Sequence, residues 1–163
     1  VTATLPNAKT LATYLGPGVQ QILSWNPDTQ TYRGWLPPIN RGTNFMLKAG
    51  NAYWLQLDST ATTLVSFVGG VPEQGTVRWT FVGTTPNCHL YDISLPLNQT
   101  AIINAAGLAT AIGPNVEQVL EWNPATQTFK GWLPKIGRGT NFTVKPGYPY
   151  HVCFSPGDTI VWP

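Results

Sequence analysis

The stretch that decides the fold is GPGVQQILSWNPDTQTYRGWLPPINRGTNFMLKAGNAYWL, residues 16–55. It returns as GPNVEQVLEWNPATQTFKGWLPKIGRGTNFTVKPGYPYHV at residues 113–152, with roughly 24 of the 40 positions identical at an offset of about 97. An internal repeat of this length indicates one structural unit used twice. We therefore predict two tandem modules, residues 1–72 and 73–163, and expect functional differences where the copies differ.

The composition is typical of an exported β-rich protein. Only 10% of the residues are charged, whereas 42% are hydrophobic and 12% aromatic, which excludes disorder. The basic residues are never adjacent, so the basic footprint of a nucleic-acid-binding protein is missing. No apolar run reaches the roughly 18 residues of a membrane span. The N-terminal VTATLPNAKT is not a signal peptide, and we expect a mature chain that is extracellular or at the cell surface.

Short runs rich in Val, Ile, Thr and aromatic residues are separated by sixteen Gly and fifteen Pro. This pattern predicts short strands and tight turns. Each module is expected to be a strand, a short helix and a four-stranded meander. The meander strands of the second module are predicted at Val116–Trp122, Thr128–Leu133, Asn141–Lys145 and Tyr150–Phe154. Their counterparts in the first module are Val19–Trp25, Thr31–Leu36, Asn44–Lys48 and Tyr53–Leu57.

Helical spacing of apolar residues predicts helices at Ala8–Leu15 and Thr100–Ile112, each ended by Gly-Pro. The strand before the second helix is predicted at Tyr91–Leu97, and its counterpart is shortened to Thr2–Leu5. The overall prediction is a mainly β fold with one short helix per module and sandwich-like or barrel-like sheets. A further hairpin is predicted from Thr63–Val68 and Thr76–Val82, and a type II turn at Lys145–Tyr148.

Each predicted hairpin carries a Trp beside a cation. Strict alternation places Arg33 with Trp35, and Lys130 with Trp132, on one face of the second strand. Such a pair either covers the sheet through a cation–π contact or presents a stacking platform. The residues that we predict at a ligand or partner surface are Arg33, Trp35, Trp54, Lys130 and Trp132.

The remaining repeat tryptophans differ in what they indicate. Trp25 and Trp122 follow a leucine at a spacing of two, so we expect them in the core. Trp54 is replaced by His151 in the second copy, which makes this position a candidate for divergence in function.

The two cysteines, Cys88 and Cys153, favour a disulfide, because the composition indicates an oxidising compartment. The bridge would close a loop of about 65 residues and would belong to the second copy alone, since the first has Gln56 at the matching position. A zinc site with His89 and His151, or two free thiols, are the alternatives.

Catalytic and cofactor motifs are missing from the sequence. The first copy has Gln20 and Ser24 in place of Glu117 and Glu121, so a solvated face explains these acids better than a glycosidase pair. His151, Ser155 and Asp158 lack the nucleophile elbow of hydrolases. We therefore predict no catalytic residues, no metal and no cofactor.

One group of motifs resembles a known kind of protein. ISLPL, a short Ala-rich helix, QVLEWNPATQTFKGW, GTNFTVKPG and Y-x-V are similar to tandem Trp-rich modules of secreted or surface-exposed bacterial proteins. The resemblance covers nearly all of copy two and most of copy one. It implies export and modular repetition, with no established activity.

Three classes of function follow from these observations. The favoured one is an extracellular structural or interaction module that self-assembles or adheres through sheet edges and an exposed aromatic face. Its partners would be other copies of itself or other surface proteins, because a shortened first strand leaves an edge open to β-augmentation. The alternatives are a module that binds a polysaccharide through exposed Trp and, less favoured, a hydrolytic enzyme.

Overall fold

The computed structural model describes residues 5–58, 60, 67, 71–73, 75–83, 88–155, 157 and 159–162. The chain divides into two compact units. Residues 1–49 and 53–70 form the first, and residues 50–52 and 71–163 form the second. The division therefore lies close to the predicted boundary between residues 72 and 73, although three residues of the first repeat group with the second unit.

The first unit is an antiparallel sheet with one helix. Helix α1 is Ala8–Leu15, and the strands are β1 (Val19–Asn26), β2 (Thr31–Leu36), β3 (Arg41–Gly42) and β4 (Tyr53–Leu57). The strand order is β3-β2-β1-β4. The fourth strand thus returns to lie beside the first, and the predicted meander is wrong at this point. The core lies between the helix and the sheet and consists of Ala8, Leu11, Ala12, Leu15, Val19, Ile22, Trp35 and Phe45.

The second unit repeats this arrangement and adds three strands. The added strands are β5 (Trp79–Phe81), β6 (His89–Ser94) and β11 (Ile160–Trp162). The repeated elements are α2 (Ala105–Ile112), β7 (Val116–Asn123), β8 (Thr128–Leu133), β9 (Arg138–Gly139) and β10 (Pro149–Phe154). One sheet has the order β6-β10-β7-β8-β9, and β5 pairs with β11 in a second sheet. The core of this unit includes Phe81, Ile93, Leu95, Leu108, Val119, Tyr150, Val152 and Phe154.

The hairpin turn of each repeat is held by its own side chains. Asn26 Oδ1 accepts a hydrogen bond from the Asp28 N–H at 3.1 Å, and Gln30 Nε2 donates to the Pro27 carbonyl at 2.7 Å. Gln30 has a left-handed backbone with φ of 52°. Residues 123–127 make the same two bonds. This local network explains why both hairpins form at the predicted positions.

The mainly β fold with one short helix per unit is confirmed. None of the three sheets in the described ranges closes into a barrel. The helix α1 has the predicted bounds, whereas α2 starts at Ala105, where Asn104 caps its first turn. The type II turn is confirmed, because the Tyr148 N–H donates to the Lys145 carbonyl and Gly147 has a φ of 80°.

The third predicted strand of each module is wrong. Residues 44–48 and 141–145 make only single bridges, at Met46 and Thr143, and the two-residue strands β3 and β9 take their place in the sheets. These segments run past the helix N-termini instead, where Asn44 Oδ1 accepts a hydrogen bond from the Lys9 N–H at 2.8 Å.

The remaining strand predictions fall mostly outside the described residues or differ in length from the observed strand. Thr2–Leu5 and Thr63–Val68 lie almost wholly outside the described residues. The strand predicted at Thr76–Val82 is shorter, and its partner is β11, a strand that the sequence pattern did not predict.

Candidate interaction surfaces

The first predicted pair, Arg33 and Trp35, lies on the face of the sheet that α1 covers. Trp35 is buried in the core, and Lys9 Nζ lies 5.9 Å from its ring centroid. The Arg33 guanidinium lies over Phe45 instead, at 5.6 Å. The prediction of an exposed platform at Trp35 is therefore wrong, because alternation shows which residues share a face but not which face the helix covers.

The two members of the second predicted pair, Lys130 and Trp132, also have different partners. Trp132 packs against the core and is partly buried. Lys130 Nζ forms a salt bridge with Glu121 Oε2 at 3.2 Å. The charge of Lys130 is thus matched by a carboxylate across the strand pair β7–β8.

The exposed aromatic surface of the first unit lies on the opposite face of the sheet. Trp25 and Tyr32 pair across β1 and β2 with their ring centroids 4.7 Å apart, and Tyr32 and Trp54 are 6.4 Å apart. Tyr32 is 41% exposed, and both Trp are partly exposed. Of the predicted surface residues, Trp54 lies here. The expected core position of Trp25 is wrong, because the buried face of β1 is the other one, which carries Ile22 and Ser24.

In the second unit, the equivalent face of the sheet carries different side chains. Phe129 replaces Tyr32, and its ring centroid lies 4.8 Å from that of Trp122. The Phe129 ring centroid also lies 5.1 Å from that of His151, which replaces Trp54. His151 is buried and its Nδ1 pairs with Asp92 Oδ1.

The predicted disulfide between Cys88 and Cys153 is confirmed, and their Cα atoms are 5.4 Å apart. It joins the residue before β6 to β10. The zinc and free-thiol alternatives are therefore wrong. In the described part of the chain, no group of three His, Cys, Asp or Glu side chains is arranged to hold a metal ion.

A tyrosine holds the turn before the last strand of each repeat. Tyr53 Oη accepts a hydrogen bond from the Lys48 N–H at 2.7 Å, and Tyr150 Oη accepts one from the Lys145 N–H at 2.7 Å. Burial raises the pKa of both phenols, an effect partly offset by these backbone hydrogen bonds.

The two equivalent strands β4 and β10 differ in what surrounds them. β10 lies between β7 and β6, and its Val152 and Phe154 are 0% exposed. β4 pairs with β1, and no second strand flanks it among the described residues. Its Leu55 and Leu57 are 46% and 50% exposed, although they match Val152 and Phe154 in the repeat.

A cavity of about 370 Å³ opens on the second unit. The sequence alone did not reveal this cavity, because its residues come from three strands and two turns that the strand order brings together. Its walls are Glu121, Trp122, Asn123, Pro124, Lys130, Tyr148 and Pro149. A smaller cavity of about 290 Å³ on the first unit includes the Trp35 ring and Lys9.

The acidic residues considered for catalysis form separate ion pairs. Glu117 Oε1 lies 2.6 Å from Lys135 Nζ, whose hydrogen bond lowers the pKa of Glu117. A general acid requires a raised pKa instead. Ser155 donates to the Asn115 carbonyl at 3.1 Å, and Asp158 lies outside the described residues.

Comparison of the chain with protein-family models, with curated proteins and with solved structures finds no match. The resemblance to Trp-rich modules therefore stays a prediction. Within the described residues, neither helix is long and apolar enough to cross a membrane.

Proposed function

We propose that this protein is an extracellular interaction module that associates with other chains by accepting a strand at β4. The observation that carries this proposal is the contrast between β10, which has strands on both sides, and β4, which has β1 on one side in the described structure. An open strand edge offers backbone donors and acceptors to a strand from another chain.

The opposite edge of each sheet has the features that discourage such pairing. β3 and β9 are two residues long and begin with Arg41 and Arg138. Short length and charge are common protections of a natural edge. β4 has the sequence YWLQL over five residues and carries neither a charge nor a proline. This contrast supports β4 as the edge that receives a partner.

The second unit supplies a template for the incoming strand. β6 pairs antiparallel with β10, with Tyr91 opposite Val152 and His89 opposite Phe154. At the repeat offset, Leu55 and Leu57 would face the corresponding residues of a donor. The partner is therefore a chain that offers an unpaired alternating strand of the β6 type, since β6 of this chain already uses this edge to pair with β10.

The energy of this association would come from apolar burial and backbone pairing. Covering a half-exposed leucine contributes about 0.75–1.5 kcal/mol, half of the value for full burial. Each backbone hydrogen bond adds about 0.5–1.5 kcal/mol. The affinity is the surplus of these terms over the cost of association and of ordering the incoming strand, so we expect reversible binding.

The test mixes the whole chain with a fluorescently labelled synthetic peptide of residues 89–94 (HLYDIS). Sedimentation velocity then measures the self-association of the chain and the co-sedimentation of the peptide with it. We expect the wild type to bind the peptide and Leu55→Lys to lose binding, since a charge on the edge opposes strand pairing. Leu97→Lys is the matched control, because Leu97 is also exposed but lies in the second unit. The proposal is contradicted if the wild-type protein stays monomeric at high concentration and does not bind the peptide.

A further inference from the structure

The cavity on the second unit combines aromatic walls with a pair of opposite charges. Trp122 and Tyr148 line it together with two prolines, and Tyr148 is 49% exposed. Its volume of about 370 Å³ lies in the range of small-molecule sites, which run from about 300 to 1,000 Å³. A ligand of one or two sugar-sized rings therefore fits its dimensions.

The charges in the cavity favour an uncharged, hydroxyl-rich ligand. Glu121 and Lys130 form a salt bridge, so the lining itself has no net charge; Lys145 Nζ lies outside the lining, 5.3 Å from the Tyr148 ring centroid. The carboxylate accepts hydrogen bonds and the ammonium donates them, whereas a hydroxyl does both. Asn123 uses its Oδ1 in the turn, where it accepts from the Ala125 N–H, which leaves amide donors on its Nδ2.

Aromatic rings supply the other half of sugar recognition. The apolar C–H face of a pyranose packs against a flat ring, while its hydroxyls need polar partners at the rim. Trp122 and Tyr148 provide such rings, and Glu121 and Lys130 provide such partners. Tyr and Trp suit this role because each has a large apolar body with a polar tip.

We propose that this cavity binds a neutral sugar residue of a polysaccharide, with Trp122 and Tyr148 as packing surfaces and Glu121 and Lys130 as hydrogen-bonding groups. The first repeat has Ser24 in place of Glu121 and Asn51 in place of Tyr148. It therefore lacks the carboxylate and one aromatic wall, and sugar binding is a property of the second unit. This site is separate from the β4 edge, and each can be tested without the other.

The experiment titrates the intact chain with cellohexaose, chitohexaose, xylohexaose and mannohexaose while the indole N–H signals are followed by two-dimensional NMR. We expect at least one sugar to shift the Trp122 signal in a saturable way. Tyr148→Asn and Glu121→Ser, which introduce the residues of the first repeat, should each weaken binding about tenfold. Trp25→Phe, at the position that matches Trp122, should leave the affinity unchanged.

Three results would overturn the proposal. One is that none of the four sugars shifts the Trp122 signal. Another is that Trp25→Phe weakens binding as much as Tyr148→Asn does. The third is that a proline-rich peptide saturates the cavity more tightly than every sugar, because aromatic grooves also accept polyproline helices. Unchanged thermal midpoints of Tyr148→Asn and Glu121→Ser would separate a lost contact from a lost fold.

Discussion

Asp92 and His151 form a buried pair between β6 and β10, with the carboxylate Oδ1 against the imidazole Nδ1. Their side chains are 2% and 6% exposed. The first repeat has Trp54 at the position of His151, on a strand that is not flanked by a β6 counterpart in the described residues. The pair therefore belongs to the contact that completes the second sheet.

Removal of Asp92 should destabilise the protein strongly. Asp92→Ala takes a buried partner from His151, and breaking such a pair costs about 3 kcal/mol. The free energy of unfolding in urea would measure the loss. Asp28→Ala is the control, because Asp28 is exposed and the second repeat has Ala125 there. Equal stabilities of the two variants would contradict the prediction.

The disulfide should stabilise the fold mainly by restricting the unfolded chain. It joins residues 65 positions apart, and bridges of this kind contribute about 2–4 kcal/mol. We expect Cys88→Ser combined with Cys153→Ser to lower the thermal midpoint, as should reduction of the wild type. A midpoint that is unaffected by reductant would contradict this role.

Gly139 and Gly137 should respond differently to substitution. Gly139 has a φ of 100°, and a Cβ there would clash with the Gly131 carbonyl oxygen. A non-glycine residue with this positive φ is strained by about 1–3 kcal/mol even without a clash, so Gly139→Ala should be strongly destabilising. Gly137 also has a positive φ but open space around it, and Asn40 occupies the matching position with a φ of 49°. Gly137→Asn should therefore change the free energy of unfolding little, which chemical denaturation of both variants would check.

Stability should fall in alkali through Tyr150, which is buried, and Tyr53, which is partly buried. Burial raises the pKa of Tyr150 and Tyr53 in the folded state. Their contribution is complete below the unfolded pKa of about 10 and is lost as the pH rises through the folded pKa. Tyr150→Phe should flatten this pH dependence and, because the Lys145 N–H loses its acceptor, should cost about 1 kcal/mol at neutral pH. Tyr53→Phe should repeat both effects; an unchanged alkaline profile would refute the assignment.

Local sequence signals predicted the elements that local interactions hold. The hairpins were predictable, because alternating side chains and the Asn-Pro turn act within a few residues of one another. Helix α1 was predictable from its apolar spacing and its Gly-Pro end. Residues 44–48 look like a strand by composition, but their partners lie near Asn7 and Lys9, far away in the sequence.

The placement of the site residues depended on information that alternation does not contain. Arg33 and Trp35 do share a face, yet only the position of α1 decides that this face is buried. Likewise, no pattern in the sequence shows that β4 lies beside β1, or that Tyr148 and Trp122 line one cavity. The shortened first strand led us to expect an edge without a second neighbour, which β4 has among the described residues, whereas the exposure of Leu55 required the strand order.

Acceptance of a β6-type strand at β4 is the central claim, and disulfide trapping tests it most directly. Gln56 matches Cys153, so Gln56→Cys should place a thiol where the second unit bonds to Cys88. We predict that this variant forms a mixed disulfide with a peptide of residues 88–95 (CHLYDISL) whose cysteine carries a thionitrobenzoate group, because the protein thiolate attacks the peptide sulfur and expels thionitrobenzoate. Release of thionitrobenzoate should be faster than for Leu55→Cys, whose side chain points to the other face. Equal rates for the two variants, or no trapping of the peptide by Gln56→Cys, would contradict the central claim.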